Sequence, residues 1–452
     1  MGYHSHLDST VTASFGDALL ASLAPGGGLW MPDAIPDFGG LGLARLGAKD
    51  FADCAAELAT HFTDERFDKA ALTRICRDAY DFPVPMVTMD GRTLDPAMPP
   101  QAQEFVLELF HGPTLAFKDF AARFMGRAAS HLLSTSEQRR TILVATSGDT
   151  GGAIGDAFLD QPGINVFIFY PKGGVSTVQE RQLCTIGRRG SNVRAVRVEG
   201  TFDDCQQMVK DAFADPKLVE RFNLMSANSI NVGRVIPQSF YYFWSAVQAY
   251  AAYPGREVVF SIPSGNLGNL TGGLIAKRMG APVHRFVVAN NVNDPMVDYL
   301  KDGAYRPRDS QPTLSNAMDI GRPNNFPRIL DLFGEDLQSV REACWGASFS
   351  DEDTARHIRR IRRDTGYLMC PHTAVGHLGM EAYKAAHPNV DATLVTVGTA
   401  HPAKFADSLE AILREDIPLP PPLADAMRKK PRVYDMLPTL DALAGYVRRF
   451  VK

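Results

Sequence analysis

Residues 141–170 read Thr141-Ile-Leu-Val-Ala-Thr146, Ser147-Gly-Asp-Thr-Gly-Gly152, Ala153-Ile-Gly-Asp-Ala-Phe-Leu159 and, after a turn, Ile164-Asn-Val-Phe-Ile-Phe-Tyr170. The two outer runs are apolar and β-branched, with no alternation of polar residues. Such runs suit strands that are covered on both faces. The small-residue stretch between them suits a crossover helix, entered through a glycine-rich turn. A strand, a helix and a second strand in this order make a parallel βαβ unit.

The same rhythm continues outward. Ser176–Ile186 reads as a helix, Val193–Val198 as a strand and Phe202–Phe213 as a helix. Val258–Ile262 is a strand and Leu270–Met279 a helix, with further strands at Phe286–Ala289 and Thr393–Val397. The expected fold class is α/β, with two open parallel αβα lobes. Residues 1–81 have a different texture. Helical spacing recurs over Phe15–Leu23, Phe51–His61 and Ala70–Tyr80, and Asp81-Phe-Pro-Val-Pro85 ends the region. We expect a small N-terminal helical domain over 1–81, then an α/β region over 82–452. Pro418–Pro422 reads as a stiff spacer before a final helix.

Composition narrows the function classes. In 452 residues, hydrophobic side chains are 45% and charged ones 22%, ordinary for a globular chain, and the length calls for more than one lobe. The net charge of −4 lacks the basic excess of a nucleic-acid binder. No apolar run approaches the ~18 residues of a membrane span, and the first residues do not resemble a secretory signal. The six cysteines are at least 21 residues apart, so no zinc-type spacing arises. They read as reduced, and the cytosol is the expected compartment.

Three loops follow predicted strands: Ser147–Gly152, Ser264-Gly-Asn-Leu-Gly-Asn-Leu-Thr-Gly-Gly273 and Gly398-Thr-Ala-His-Pro402. The second suits a phosphate, because its glycines allow close approach and the next helix offers free N–H groups. A tight turn punctuated by glycine would look the same. The P-loop pattern fails for want of its lysine, and Thr150 stands where a dinucleotide fingerprint needs its first glycine. Lys118 lies in Phe110-His-Gly-Pro-Thr-Leu-Ala-Phe-Lys-Asp-Phe-Ala-Ala-Arg-Phe124, an unusually apolar setting. Burial would lower its pKa and free its amine for a Schiff base. A lysine snorkelling from an amphipathic helix gives the same pattern. Together with a phosphate-type loop, such a lysine points to pyridoxal phosphate. The histidines form no HExxH, and His372 and His377 are five apart. No metal is expected.

The chain resembles the threonine synthase family, pyridoxal-phosphate enzymes of fold type II, in its longer bacterial and fungal subgroup with an extra N-terminal domain. The resemblance runs from Gly28-Leu-Trp-Met-Pro32 to about Leu409. It rests on residues 110–119, 145–153, 228–231 with Arg234, 264–269 and 398–405, five motifs in family order. It implies that Lys118 holds the cofactor and shuttles protons. It implies that Gly265, Asn266, Leu267, Gly268 and Asn269 bind the cofactor phosphate and that Thr399 meets the pyridine nitrogen. Ser147, Asp149 and Thr150 would line the substrate carboxylate and cofactor hydroxyl. Asn228, Asn231, Arg234 and Lys404 would take the substrate phosphate. The implied reaction converts O-phospho-L-homoserine and water to L-threonine and phosphate, with no obligate protein partner and with a mobile smaller lobe over roughly 120–215. Departures from the family pattern fall at Val11, Pro237, Asn324 and Cys370, and Pro237 should kink its helix. Two rivals stand beside this reading: a related lyase releasing 2-oxobutyrate from a phosphorylated amino acid, and a non-catalytic cofactor-binding protein.

Overall fold

The computed structural model describes residues 1–95, 104–134, 138–187 and 190–451. In chain order the strands are β1 (Gly2–Ser5), β2 (Asp8–Ser14), β3 (Trp30–Pro32), β4 (Met86–Val87), β5 (Glu104–Glu108), β6 (Arg140–Ala145) and β7 (Ile164–Pro171). They continue with β8 (Val193–Val198), β9 (Leu224–Ser226), β10 (Val258–Pro263), β11 (Val283–Asn290), β12 (Cys344–Ser348), β13 (Thr393–Gly398) and β14 (Tyr434–Met436).

Two sheets make up the α/β region. The larger has the order β12-β11-β10-β13-β5-β4 and the smaller β14-β8-β7-β6-β9. All their pairings are parallel except that of β4 with β5. β10 is buried at every residue, and β6 at all but Arg140, as strands covered by helices on both faces must be. In the larger sheet β10 runs on to β11 on one side while β13 lies on the other. That reversal opens a crevice at the carboxyl ends of β10 and β13. The five motifs all emerge at carboxyl ends: Lys118 after β5, the 264–273 loop after β10, Thr399 after β13, the 147–152 loop after β6 and Asn228 after β9. Strands β5, β13 and β10 are successive neighbours in one sheet, as are β6 and β9 in the other.

The N-terminal region departs from the expected helical domain. The three expected helices form at Phe15–Ala21, Phe51–Thr60 and Lys69–Ala79 and a further one at Gly39–Gly47, but an antiparallel sheet β2-β1-β3 accompanies them. β2 is exposed to intermediate along its length, so it has no apolar alternation to announce a strand. Nor does this region keep a core to itself. Tyr3, Phe15 and Phe51 belong to one buried cluster with Phe120, Phe240 and Phe260. The Phe51 ring meets Phe120 at 5.5 Å and Trp244 at 5.8 Å.

The helix Val232–Ala252 runs through Pro237 as one element of 21 residues. Pro237 lies in its second turn, and the missing N–H removes only the usual donor for the Gly233 carbonyl. The chain's end returns to the smaller lobe, where β14 extends the sheet and the helix Leu440–Val447 packs beneath it. Met436, Leu443 and Val447 join Val196, Val198 and Phe167 in a second buried cluster.

Candidate active site

Lys118 is the first residue of the helix Lys118–Leu133. Backbone bonds lace its loop to the β13 end: Leu109 N–H to Gly398 O at 2.9 Å, Phe117 N–H to Thr399 O at 2.8 Å and His401 N–H to Leu115 O at 3.0 Å. Leu115 has φ +60°, a conformation that costs a branched side chain energy and that clusters at functional sites. Asp119 is fully buried and closes the loop by accepting from the Thr114 N–H at 2.9 Å and from its hydroxyl. Burial lifts Asp119 to about 6 against those hydrogen bonds. Burial pushes the Lys118 amine down to about 8, with Asp149 opposing and Lys404 and Arg234 reinforcing the shift. An amine of that pKa is partly unprotonated near neutral pH, as nucleophile and base require.

The 264–273 loop leads into the helix Gly268–Arg278. Among the described residues, the backbone N–H groups of Gly265, Asn266, Leu267, Gly268 and Asn269 find no acceptor. Five free donors at a helix N-terminus form an anion cradle. Leu267, the residue before this helix, sits at φ +61°, a conformation that clusters at functional sites. A Cβ at Gly265 would lie 2.8 Å from the Met318 Cα, so glycine is required there. The Asn269 carbonyl oxygen accepts from the Tyr241 and Tyr242 hydroxyls at 2.6 and 2.8 Å, while its buried amide nitrogen has no acceptor. The Asn266 side chain is held differently, donating to Ser229 Oγ at 2.8 Å and accepting from Asn324 N–H at 2.6 Å. Its contribution to an anion is its backbone alone. This cradle, the Lys118 amine and the strand-end Thr399 fit a phosphate-bearing aldehyde cofactor.

In the smaller lobe the 147–152 loop opens the helix Asp149–Phe158. The Thr146 hydroxyl accepts from Gly148 N–H at 3.0 Å and Gly151 N–H at 2.9 Å. Gly148 has φ +138° with the Gln179 side chain packed where a Cβ would go. The N–H groups of Asp149 and Thr150 have no acceptor among the described residues, and Ser147 and Thr150 are half-buried. This second helix start suits a carboxylate.

The remaining motif residues divide. Arg234 is buried and donates to Ala227 O at 2.6 Å, while its Nε finds no acceptor. Burial lowers it to about 10, so it stays charged at neutral pH. The Asn228 carbonyl oxygen is likewise buried without a donor. These idle polar atoms mark a place for a polar ligand. Asn231 corrects the expectation. Its amide donates to Leu19 O at 2.8 Å, Ser226 O at 3.0 Å and Ser22 Oγ at 3.2 Å, and its carbonyl caps Gly233 N–H. Neither amide hydrogen is left for a substrate. Lys404, expected at the substrate phosphate, is held by other partners here. Fully buried, it donates to Asp149 Oδ1 at 2.8 Å and Thr114 O at 2.7 Å. Burial opposes the Asp149 charge, but Lys404 and Lys118 hold this carboxylate well below its usual range. Gln179 adds a bond to the same oxygen at 2.9 Å.

His372, weighed in the sequence only as a metal ligand, is part of this environment. It is buried against Phe405, and its Nε2 accepts from Ala317 N–H at 3.1 Å. Burial brings it to about 4, and Asp149, Lys118 and Lys404 also act on it. It is therefore neutral, with its proton on Nδ1. Cys370 caps the helix Pro371–Ala386 by accepting from Thr373 N–H. The Thr373 hydroxyl accepts from Thr399 N–H at 3.4 Å. Away from the site, His357, His377 and Glu381 approach one another as metal ligands would. Arg360 already bonds both Glu381 oxygens and the His357 ring there.

Comparison with known proteins agrees with this geometry. The family described as pyridoxal-phosphate dependent enzyme matches residues 102–400, threonine synthase N terminus matches 2–80 and threonine synthase, C-terminal, matches 373–447. The threonine synthase of Escherichia coli (strain K12) is 39% identical over 420 residues, covering 92% of each chain. That of Saccharomyces cerevisiae is 34% identical, over 90% of this chain and 87% of its own. The crystal structure of pyridoxal-phosphate-bound threonine synthase from Brucella melitensis superposes with a TM-score of 0.91 at 36% identity, covering all of both chains. The chain belongs to the threonine synthase family of pyridoxal-phosphate-dependent enzymes.

Proposed function

We propose that the protein converts O-phospho-L-homoserine and water to L-threonine and phosphate, the last step of threonine biosynthesis, in the cytoplasm. One observation carries the reading. A lysine amine whose pKa is lowered to about 8 is grouped with two helix N-termini whose amides lack acceptors and with a buried arginine that has an idle Nε. The substrate has two anionic ends and an acidified carbon between them. The site has two anion sites besides the cofactor cradle, with a base beside them.

When bound, pyridoxal phosphate delocalises the electron pair left where a proton is removed. The chain supplies everything else. The amides of 265–269 hold the cofactor phosphate, and Thr399 takes the ring nitrogen. A neutral hydroxyl there leaves that nitrogen largely unprotonated, so more of the proton handling falls to Lys118. Its amine removes the α-proton and later returns a proton. The amides of Asp149 and Thr150, with Ser147, fix the substrate carboxylate. Arg234 and the Asn228 side-chain amide N–H fix the substrate phosphate until a β-proton is lost and phosphate leaves the γ-carbon; the γ-carbon then gains a proton to become the methyl group, and water adds at the β-carbon. For Lys404 to reach that phosphate, its pair with Asp149 must open. Asn231 acts by holding the start of the Arg234 helix. A smaller lobe over roughly 120–215 moves to admit substrate and exclude water. Identical lobe angles in empty and liganded crystals would count against that movement.

The test is product analysis with purified holoprotein and O-phospho-L-homoserine. Equal amounts of phosphate and threonine are expected. Phosphate without threonine would identify a lyase, and no phosphate at all would overturn the substrate assignment.

A further inference from the structure

Arg328, in the helix Phe326–Phe333, is a fully buried side chain that no sequence motif singled out. Its Nε donates to Trp30 O at 3.3 Å, Nη1 to Ser229 O at 3.0 Å and to the Asn325 carbonyl oxygen, and Nη2 to Ile230 O at 2.7 Å. Every one of these acceptors is neutral. Asp331, part-exposed and bonded by His4, acts on it only through space. Burial lowers Arg328 to about 9. A buried guanidinium without a carboxylate is costly, and one partner for its charge is to be sought nearby.

Its contacts lead to the anion cradle. Asn325, which accepts from Arg328, donates through its amide to Asn266 O at 2.9 Å. That carbonyl belongs to the same peptide unit as the Leu267 N–H, one of the five idle donors. Ser229, whose carbonyl Arg328 also holds, receives the Asn266 amide at 2.8 Å. A Cβ at Gly268 would lie 3.3 Å from the Asn325 amide nitrogen and 3.4 Å from the Ser229 Cβ, so the loop rests against both residues. Hydrogen bonds in series polarise one another. A cation pulling on Asn325 Oδ1 strengthens its amide as a donor, which in turn makes the Leu267 N–H a better donor to an anion.

We propose that Arg328 is a positioning residue for the cofactor phosphate, acting through Asn325 and Asn266, and that the phosphate dianion is the counter-charge for which it is buried. The proposal rests on the assignment of residues 265–269 as the phosphate cradle.

The test compares affinity for pyridoxal phosphate with affinity for pyridoxal, which lacks the phosphate, by absorbance titration of apoprotein. The variants are Arg328→Met and Asn325→Ala. Each is expected to weaken pyridoxal phosphate binding by about 10- to 100-fold and to leave pyridoxal binding within about twofold. Arg328→Lys should recover part of the loss. An equal fall for both ligands, or no fall for either, would overturn the proposal and leave Arg328 a structural clamp. If Arg328→Met does not fold, Asn325→Ala decides by the same criterion, because it cuts the link without touching the guanidinium. A wild type that binds both ligands equally would instead overturn the cradle assignment, and the proposal with it.

Discussion

Lys118 combines a base's pKa with a position at the head of a helix, and its burial makes a prediction about the apoprotein. Its folded pKa of about 8 lies below the ordinary 10.5. Between those values the unfolded chain holds a proton that the folded one has released, so stability rises with pH across that window. Lys118→Met should abolish turnover and remove this titration. Its stability advantage over wild type, measured by urea unfolding, should shrink by on the order of 3 kcal/mol from pH 8 to 10.5. Asn231 tests the opposite kind of residue. It was expected at the substrate because it stands in a motif with Arg234, yet its amide ties Leu19, Ser22 and Ser226 together. Asn231→Ala should cost about 2–4 kcal/mol in unfolding free energy and leave KM for substrate within a few-fold.

Elements meet here through glycine. The helices Val232–Ala252 and Gly268–Arg278 pack so closely that a Cβ at Gly272 would lie 2.7 Å from the Gln238 Cβ and 3.0 Å from its backbone carbon. The second of these helices carries the free backbone N–H groups of 265–269 at its start and the first carries Arg234, so their spacing sets the distance between the two groups of donors. Gly272→Ala should push them apart, cost about 1–3 kcal/mol and raise KM. Thermal unfolding and steady-state kinetics on the same preparation check both effects. β6, β7 and β10 were legible because nearly all their residues are buried, which leaves long apolar runs, and β8 was legible from its valines despite Arg194 and Arg197. β9, β12 and β14 were not, being short or poor in β-branched residues; they are strands because a neighbour's edge is available. β2 was hidden for the related reason that its side chains meet water.

At the scale of the molecule, the two largest buried clusters among the described residues lie in different places. One runs from Tyr3 through both lobes, and the other lies under the far side of the smaller sheet. Leu443 is fully buried in the second. Leu443→Ala should cost about 2–5 kcal/mol. Its hydrogen-exchange signature should be faster exchange in β8 and β14 and unchanged exchange in β10 and β11. Equal acceleration in all four strands would mean that the lobes unfold as one unit. The same division bears on function, because the loop holding Asp149 belongs to the smaller sheet and the Lys118 loop to the larger. Lys404 spans them, bonding Asp149 on one side and Thr114 on the other.

The sequence by itself determined the α/β class, and it drew attention to Lys118 and to the glycine-rich loop after β10, because each is a local pattern: an apolar run, an amine among apolar neighbours, glycines where a strand meets a helix. Only the tertiary structure decided which polar side chains face the site. Asn231 and Arg234 are three residues apart in one motif, yet one is bonded wholly within the framework and the other keeps an idle Nε. Lys404 meets Asp149 across 255 residues of chain. Arg328 meets Trp30 across 298. A side chain's partners are set by where distant segments arrive, and no spacing along the chain encodes that arrival.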